Sequence, residues 1–545
     1  MRFRTFFALA LSTVPWMAAQ PVIRPVNGIQ NAMGYQTTLA PDCLFAVFGT
    51  GLGPATLTFA DGQNYQTSLA GTSISFKPVG GGAVIPARLV YTLATQVAGL
   101  LPSSIAPGAY AVTVTYRNVN SAPQNVAVVA RSLGIDTVDT SGSGPAQANV
   151  GNVNNGLSLV RFTSGTLPGP GFTWTLTPAH PGDAIVLWGT GGGADPANDS
   201  GGSSGDQTAA GNFKVLVDGV TITPFYSGTA TLYPGLWQVN FYLPQDITPD
   251  CFAAVQVAAP GTTSNMVTIA IAPPGQDSCS DPQLNTASLA KLDAGGTIVG
   301  ADFGLYKFPT EEMASGQFGR YAATEVALRK AGQRFGACLV TDIKAVAASK
   351  YPAAPDSLLD AGSSLPFAGP GLPAGSSLLR ITGPYYGDSL LPGTLRAGTY
   401  TITGLGGPDI GPFSASVRFP SDFTATNLDS IDRIDRTQPL MLTWSGLGMD
   451  RVRIQVATNV QVGGTADDPV TRNVAVQCDV DGGLGAYTIP PEALALLQPT
   501  DQGNIQIGAY TSRATFTAPL VAGGEIDYGQ ISYNPTDGIV GVIVQ

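Results

Sequence analysis

Val47-Phe48-Gly49-Thr50-Gly51-Leu52-Gly53 is an apolar run that ends in an aromatic residue and then breaks into closely spaced glycines. A near copy, Leu187-Trp188-Gly189-Thr190-Gly191-Gly192-Gly193, lies 140 positions on, counted from Phe48 to Trp188. The run suits a half-buried strand, because branched and aromatic side chains pack well on a pleated surface. The glycines suit a sharp exit in which the backbone takes positive φ without a Cβ penalty. A strand and exit repeated at a fixed distance mark a duplicated module. They name no activity.

Outward from the first copy, short apolar runs at 72–76, 87–92 and 110–116 are separated by Gly/Pro turns. The last alternates, with Tyr110, Val112, Val114 and Tyr116 on one face and Ala111, Thr113 and Thr115 on the other. Such spacing predicts a β-sandwich. The second copy repeats the plan: 213–217 and 220–223 flank Asp218-Gly219 as a hairpin, and 253–258 and 266–271 close the module. The aromatic strand ends Leu243-Pro244 as the earlier one ends Leu101-Pro102, 142 positions apart. Further strands are expected at 298–308, 321–330, 338–343 and 439–446, a loop over 351–375 and a short helix at 489–494. The predicted fold is all-β: tandem immunoglobulin-like sandwiches and a further β-rich C-terminal half. Its segments are a signal peptide (1–19), sandwiches at 20–140 and 141–275, a β-rich domain at 276–420 and a sandwich-like domain at 421–545.

Composition narrows the class of function. Of 545 residues, 44% are hydrophobic and only 12% charged, with Gly 68 and Pro 42, which fits strands joined by many turns. A net charge of −11 and the lack of any basic patch argue against nucleic acid. Arg2 and Arg4 precede an apolar stretch over 5–17, and Met17-Ala18-Ala19 offers a cleavage site before Gln20, the pattern of a secretory signal. No later run reaches the roughly 18 apolar residues of a membrane span. The expected location is therefore secreted or at the cell surface.

With these motifs in place, the chain resembles an uncharacterised Ig-like family abundant in exported proteins of acidobacteria, related to the IPT/TIG class. The matching residues are F-G-T-G-L-G (48–53), the Asp218-Gly219-Val220 turn, the strand ending in Leu243-Pro244 and Ser264-Asn265-Met266-Val267-Thr268. The first copy departs from the pattern, lacking the D-G-V turn and carrying Ser121-Ala122 in place of Ser264-Asn265. L-T-W-S-G (442–446) and Y-T-I-P-P (487–491) extend the likeness to the C-terminal half. The resemblance implies fold and extracellular setting, and no chemistry. Of the five cysteines, Cys251 is paired with Cys279 and Cys338 with Cys478, leaving Cys43 over; buried free thiols are the alternative.

Catalytic constellations are missing. The single histidine, His180, sits in a turn (P-A-H-P-G-D) with no G-x-S-x-G elbow to serve. The G-T-G strings lack the lysine and helix of a phosphate loop. The stretch from Asp195 to Asp206 gathers oxygen ligands that suit calcium, but without a known spacing, and reads first as a solvated loop. Trp174, Trp188, Trp237 and Trp444 sit in strand patterns and are assigned to the core. Tyr385-Tyr386 forms the candidate ligand surface. The expected protein is exported and non-catalytic, without cofactor or metal (calcium excepted), and binds an extracellular protein or polysaccharide or serves structurally. A carbohydrate-binding array and a carboxylate-dependent hydrolase are the alternatives; an exposed aromatic strip marks the former, two carboxylates about 5 to 10 Å apart in a cleft the latter.

Overall fold

Gly49 and Gly189 explain the repeated stretch. In the computed structural model, a Cβ on Gly49 would sit 2.0 Å from the Val22 carbonyl oxygen, and one on Gly189 2.5 Å from that of Gly134. Each glycine lets a two-residue strand, Val22–Ile23 or Gly134–Ile135, pair closely with the apolar strand, Leu44–Thr50 or Ala184–Thr190. Two residues on, Gly51 and Gly191 take φ of 64° and 80°, the left-handed region that favours glycine.

The duplication extends to individual hydrogen bonds. Leu101 N–H donates to the Cys43 carbonyl (3.0 Å) as Leu243 N–H does to Asp183 (2.9 Å). Ser121 receives the Val114 amide on its hydroxyl at 3.1 Å, and Ser264 the Val257 amide at 2.9 Å. The second module adds Asn265, whose side chain accepts from Ile135 N–H (2.7 Å) and donates to the carbonyls of Ile135 and Gly142 (2.9 Å each). Ala122 has no equivalent.

The structure describes residues 20–545 except 62–64, 153–155, 170, 232, 309, 347–356, 420–422, 447–449, 465–468 and 511–513; the expected signal peptide lies outside the described residues. The described residues form two compact units, one within 20–132, 190–205 and 229–237, the other in the remainder. In the first, the strands Val22–Ile23, Leu44–Thr50, Gln96–Leu100, Arg88–Thr92 and Thr58–Phe59 form one sheet, in that spatial order. Thr38–Leu39, Gln124–Val128, Gly108–Tyr116, Thr72–Pro78 and Ile85–Pro86 form the other. Phe45, Val47, Leu89 and Val97 share one core with Ile74, Phe76, Val112 and Val114, and the Phe45 and Phe76 rings meet edge to face at 5.4 Å.

The second unit contains the second sandwich. Its hairpin of Lys214–Val217 and Val220–Ile222 turns through Asp218 and Gly219 at φ of 46° and 82°. Two successive positive φ values match the right-handed twist of the flanking strands. Cys251 is bonded to Cys279, the pairing expected.

One 16-stranded sheet dominates the C-terminal half. Its centre runs Cys338–Val346, Pro469–Asp481, Arg451–Gly464, Thr500–Tyr510, Tyr528–Val544, Ile298–Lys307, Glu312–Tyr321, Tyr385–Leu390. Strands from both sides of the boundary expected at 420/421 therefore share one ladder. Tyr528–Val544 pairs in parallel with Ile298–Lys307, and Cys338 lies opposite its disulfide partner Cys478.

Two expectations need correction. Within 321–330, Tyr321 ends a strand and Ala323–Lys330 is a helix. Ala, Glu, Leu, Arg and Lys favour a helix there, and Glu325 accepts the Ala322 amide at 2.8 Å. The loop expected over 351–375 contains the strands Ser357–Leu359 and Ser364–Ala368, the latter burying alternate Leu365 and Phe367; residues 351–356 lie outside the described residues.

Candidate functional site

Alternation along Ile298–Lys307 sends Val299, Ala301, Phe303 and Leu305 into the core and leaves Gly300, Asp302, Gly304 and Tyr306 on the opposite face. Cross-strand register places Tyr385, Gln317, Asp302 and Gln530 in one row over four strands. Gly304 and Gly300 are required for a specific reason. A Cβ there would lie 2.4 Å from the Tyr306 ring and 2.2 Å from that of Tyr528, so glycine lets both rings lie down on the sheet.

The resulting cleft, about 780 Å³, is walled by Tyr306, Tyr385, Tyr510 and Tyr528 and floored by amide side chains. Its polar groups form a chain. Asp302 accepts from the Tyr528 hydroxyl (3.1 Å) and from Gln530; Gln283 donates to Gln530 (2.6 Å) and accepts from Lys330 (2.8 Å). Asp281 neutralises Lys330 at 2.8 Å. Beyond Tyr306 and Tyr510 the surface continues into a hollow of about 180 Å³ with Phe308, Arg453, Gln506 and Asn534. The Tyr306 and Phe308 rings are nearly parallel (5°) with centroids 6.4 Å apart. Arg453 lies 4.9 Å over the Tyr510 ring while gripping Asp479 with two hydrogen bonds of 2.8 and 3.2 Å.

The two tyrosines singled out by sequence part company. Tyr385 lines the cleft. Tyr386 is fully buried, its hydroxyl accepting from Ala361 N–H (2.8 Å) and donating to the Gly362 carbonyl (2.8 Å). Burial pushes that phenol up to about 12. Neighbours on a strand face opposite sides, so an adjacent pair cannot form one platform. The residues that complete the site, Asp302, Tyr306, Gln317, Tyr510, Tyr528 and Gln530, belong to no motif of the sequence analysis. The glycine–aspartate–glycine–tyrosine alternation at 300–306 was the signal that could have found four positions of that face.

Other candidates resolve as structure. The 195–206 stretch is a loop anchored at two points: Asp195 and Asn198 are fully buried, while Pro196, Ser200, Ser204 and Asp206 face solvent. Asp195 accepts from Ser204 N–H (3.0 Å), Ala197 N–H (3.1 Å) and two hydroxyls, and Asn198 accepts from Gly235 N–H at 2.6 Å. Among the described residues, no three acidic, histidine or cysteine side chains converge on a metal position. Asp42, which accepts the Asp195 amide at 2.6 Å, is raised to about 7, chiefly by burial. Burial presses Asp195 the same way, yet its hydroxyl and amide donors hold it below the ordinary carboxylate range. Split proton affinities suit acid–base chemistry, but Asp42 is 2% exposed and Asp195 0%, so substrate cannot reach them. His180 bonds the Gln276 carbonyl at 2.9 Å, in its turn. Trp237 and Trp444 are core as expected, whereas Trp188 is half-buried and donates to Asn149 (2.7 Å). Trp174 is exposed, on a strand whose residues 172–175 all face solvent, and meets Phe172 edge-on at 4.6 Å. Cys43 is a buried free thiol.

No family model matches the sequence, and no curated protein does. Among solved structures, chicken CNTN1 FN1–FN3 domains align at 10% identity over 74% of this chain and 99% of theirs, with a TM-score of 0.16. The ICAM-5 D1–D4 ectodomain fragment aligns at 10% identity over 92% and 95%, with a TM-score of 0.11. Bacteroides ovatus SGBP-B, in complex with a mixed-linkage heptasaccharide, aligns at 12% over 80% and 93%, with a TM-score of 0.12. The fold is all-β with immunoglobulin-like sandwiches. Scores this low say nothing of function, and the ladders described above carry the fold. Among the described residues no helix is long and apolar enough to cross a membrane.

Proposed function

We propose that this is an exported, non-catalytic binding protein whose ligand is an uncharged polysaccharide held in the tyrosine-lined cleft, with the sandwiches as its supporting modules. One observation carries the reading: rings that lie flat on glycines beside a row of amides. A sugar presents apolar C–H faces to such rings and hydroxyls to amide donors and acceptors. Lys330, the one cation among the residues that line the cleft, is paired with Asp281, and the Asp302 carboxylate repels an anion, which favours a ligand without negative charge. Asp302 is the one carboxylate among the residues that line the cleft, where glycoside hydrolysis uses two. The two disulfides suit an oxidising compartment, in keeping with export, and the resemblance to exported Ig-like proteins points the same way.

The test is a titration of the purified chain against a panel of neutral and acidic polysaccharides. Saturable binding to a neutral glycan is expected, weakened about tenfold or more by Tyr306→Ala and by Tyr510→Ala, since stacking on one aromatic is worth about 1 to 3 kcal/mol. Tyr386→Phe leaves affinity unchanged. Silence across the neutral panel, or binding indifferent to Tyr306, would overturn the reading.

A further inference from the structure

A second cavity, separate from the cleft and about 260 Å³, lies where the strand Gly156–Val160 and the end of the helix Thr286–Asp293 come together. Phe162, Leu167, Ile269, Ala270 and Leu292 make it mainly apolar. Arg161, 6% exposed, and Asp293, 8%, interrupt that lining from buried positions, and Asp139 adds an exposed carboxylate. The two buried groups are not equally satisfied. Asp293 accepts from Phe162 N–H (3.0 Å), Thr163 N–H (2.9 Å) and the Thr163 hydroxyl (2.8 Å). Arg161 makes one protein hydrogen bond among the described residues, to its neighbour's Val160 carbonyl at 2.7 Å. A guanidinium has five N–H donors. The donors left over belong to a side chain that lines the cavity, where water or a ligand oxygen can accept from them.

The cavity is preformed. Asp293 clamps the backbone at 162 and 163, Cys279 N–H holds the Phe162 carbonyl at 2.9 Å, and Cys279 is itself tied to Cys251. Residues 294–296, exposed at the rim, open it to solvent. A cavity of about 150 Å³ already admits benzene, so this one has room for roughly ten heavy atoms. Asp293 balances the charge of Arg161, and the exposed carboxylate of Asp139 disfavours an anion, so a ligand without negative charge fits the lining.

We propose that this cavity is a second binding site, for a compact uncharged molecule with an apolar body and one carbonyl-type oxygen that accepts from Arg161. The site is independent of the polysaccharide reading.

Three probes on the full chain test it by saturation-transfer NMR titration: acetophenone, toluene, which lacks the acceptor, and benzoate, which adds a charge. Acetophenone is expected to bind saturably and about tenfold or more tighter than either. Arg161→Met should bring acetophenone down to the level of toluene. Should that variant not fold, the three-probe ranking on the unaltered chain decides by itself, and Leu167→Trp, filling the cavity from a half-buried position, should abolish binding of all three. Absence of saturable binding, toluene as tight as acetophenone, benzoate as the tightest probe, or acetophenone affinity unmoved by Leu167→Trp would each overturn the proposal.

Discussion

Asp42 and Asp218 are carboxylates that folding strips of water without full compensation. Asp42 Oδ1 and Asp218 Oδ2 are buried with no hydrogen-bond partner, although Arg334 approaches Asp218 Oδ2 to 3.8 Å. Burial is the chief reason both are raised from 3.8 to about 7. A pKa higher in the folded state means the folded chain holds its proton more tightly. Their stabilising contribution is then complete below about pH 4 and is lost as pH rises towards 7, at up to about 1.4 kcal/mol per pH unit for each group. Urea midpoints should therefore be lower at pH 7 than at pH 5. Asp42→Asn keeps an acceptor for the Asp195 amide and should flatten that slope for the first unit; Asp218→Asn should do so for the second. A midpoint that rises over this interval, or slopes indifferent to both substitutions, would contradict the assignment.

At the scale of elements, Asn265 is the residue by which the second module ties its last strand to its first. Three hydrogen bonds to the backbone of 135 and 142 converge on one half-buried side chain. Asn265→Ala should cost about 3 kcal/mol, near 1 per bond, read as an earlier denaturant transition of the second unit with the first unmoved; a change below about 0.5 kcal/mol would show that solvent replaces those bonds. Elements like this one were legible because their determinants are local. The alternation at 110–116, the Asp218-Gly219 turn and the glycine exits each specify their own geometry within a few residues. The segment 321–330 was misread because apolar content alone does not separate a strand from a helix, and the Ala, Glu, Leu, Arg and Lys of that helix were the deciding signal. Tyr386 cannot share the face of Tyr385, because adjacent residues of a strand point to opposite sides.

The cleft itself belongs to the whole molecule, and local sequence could not reveal it. Tyr306 and Tyr528 become neighbours only because Tyr528–Val544 inserts between Ile298–Lys307 and Thr500–Tyr510. Parallel pairing of strands this distant leaves no short turn for a reader to find. Two changes separate the roles of this long-range closure. Replacing Cys338 and Cys478 by Ala opens a covalent loop of 140 positions, worth up to about 5 kcal/mol on the chain-entropy model, while the strands remain to pair. That variant should unfold at lower denaturant yet bind glycan with unchanged affinity when folded. A chain ending at residue 527 is different in kind. It exposes two unpaired strand edges in mid-sheet and removes Tyr528 and Gln530 from the cleft. Protease resistance of 298–527 and glycan binding should then disappear together, while the sandwich of residues 22–128, whose sheets close within themselves, stays resistant. Retention of binding by the shortened chain would show that the cleft does not depend on the last strand, and would move the ligand site elsewhere on the sheet.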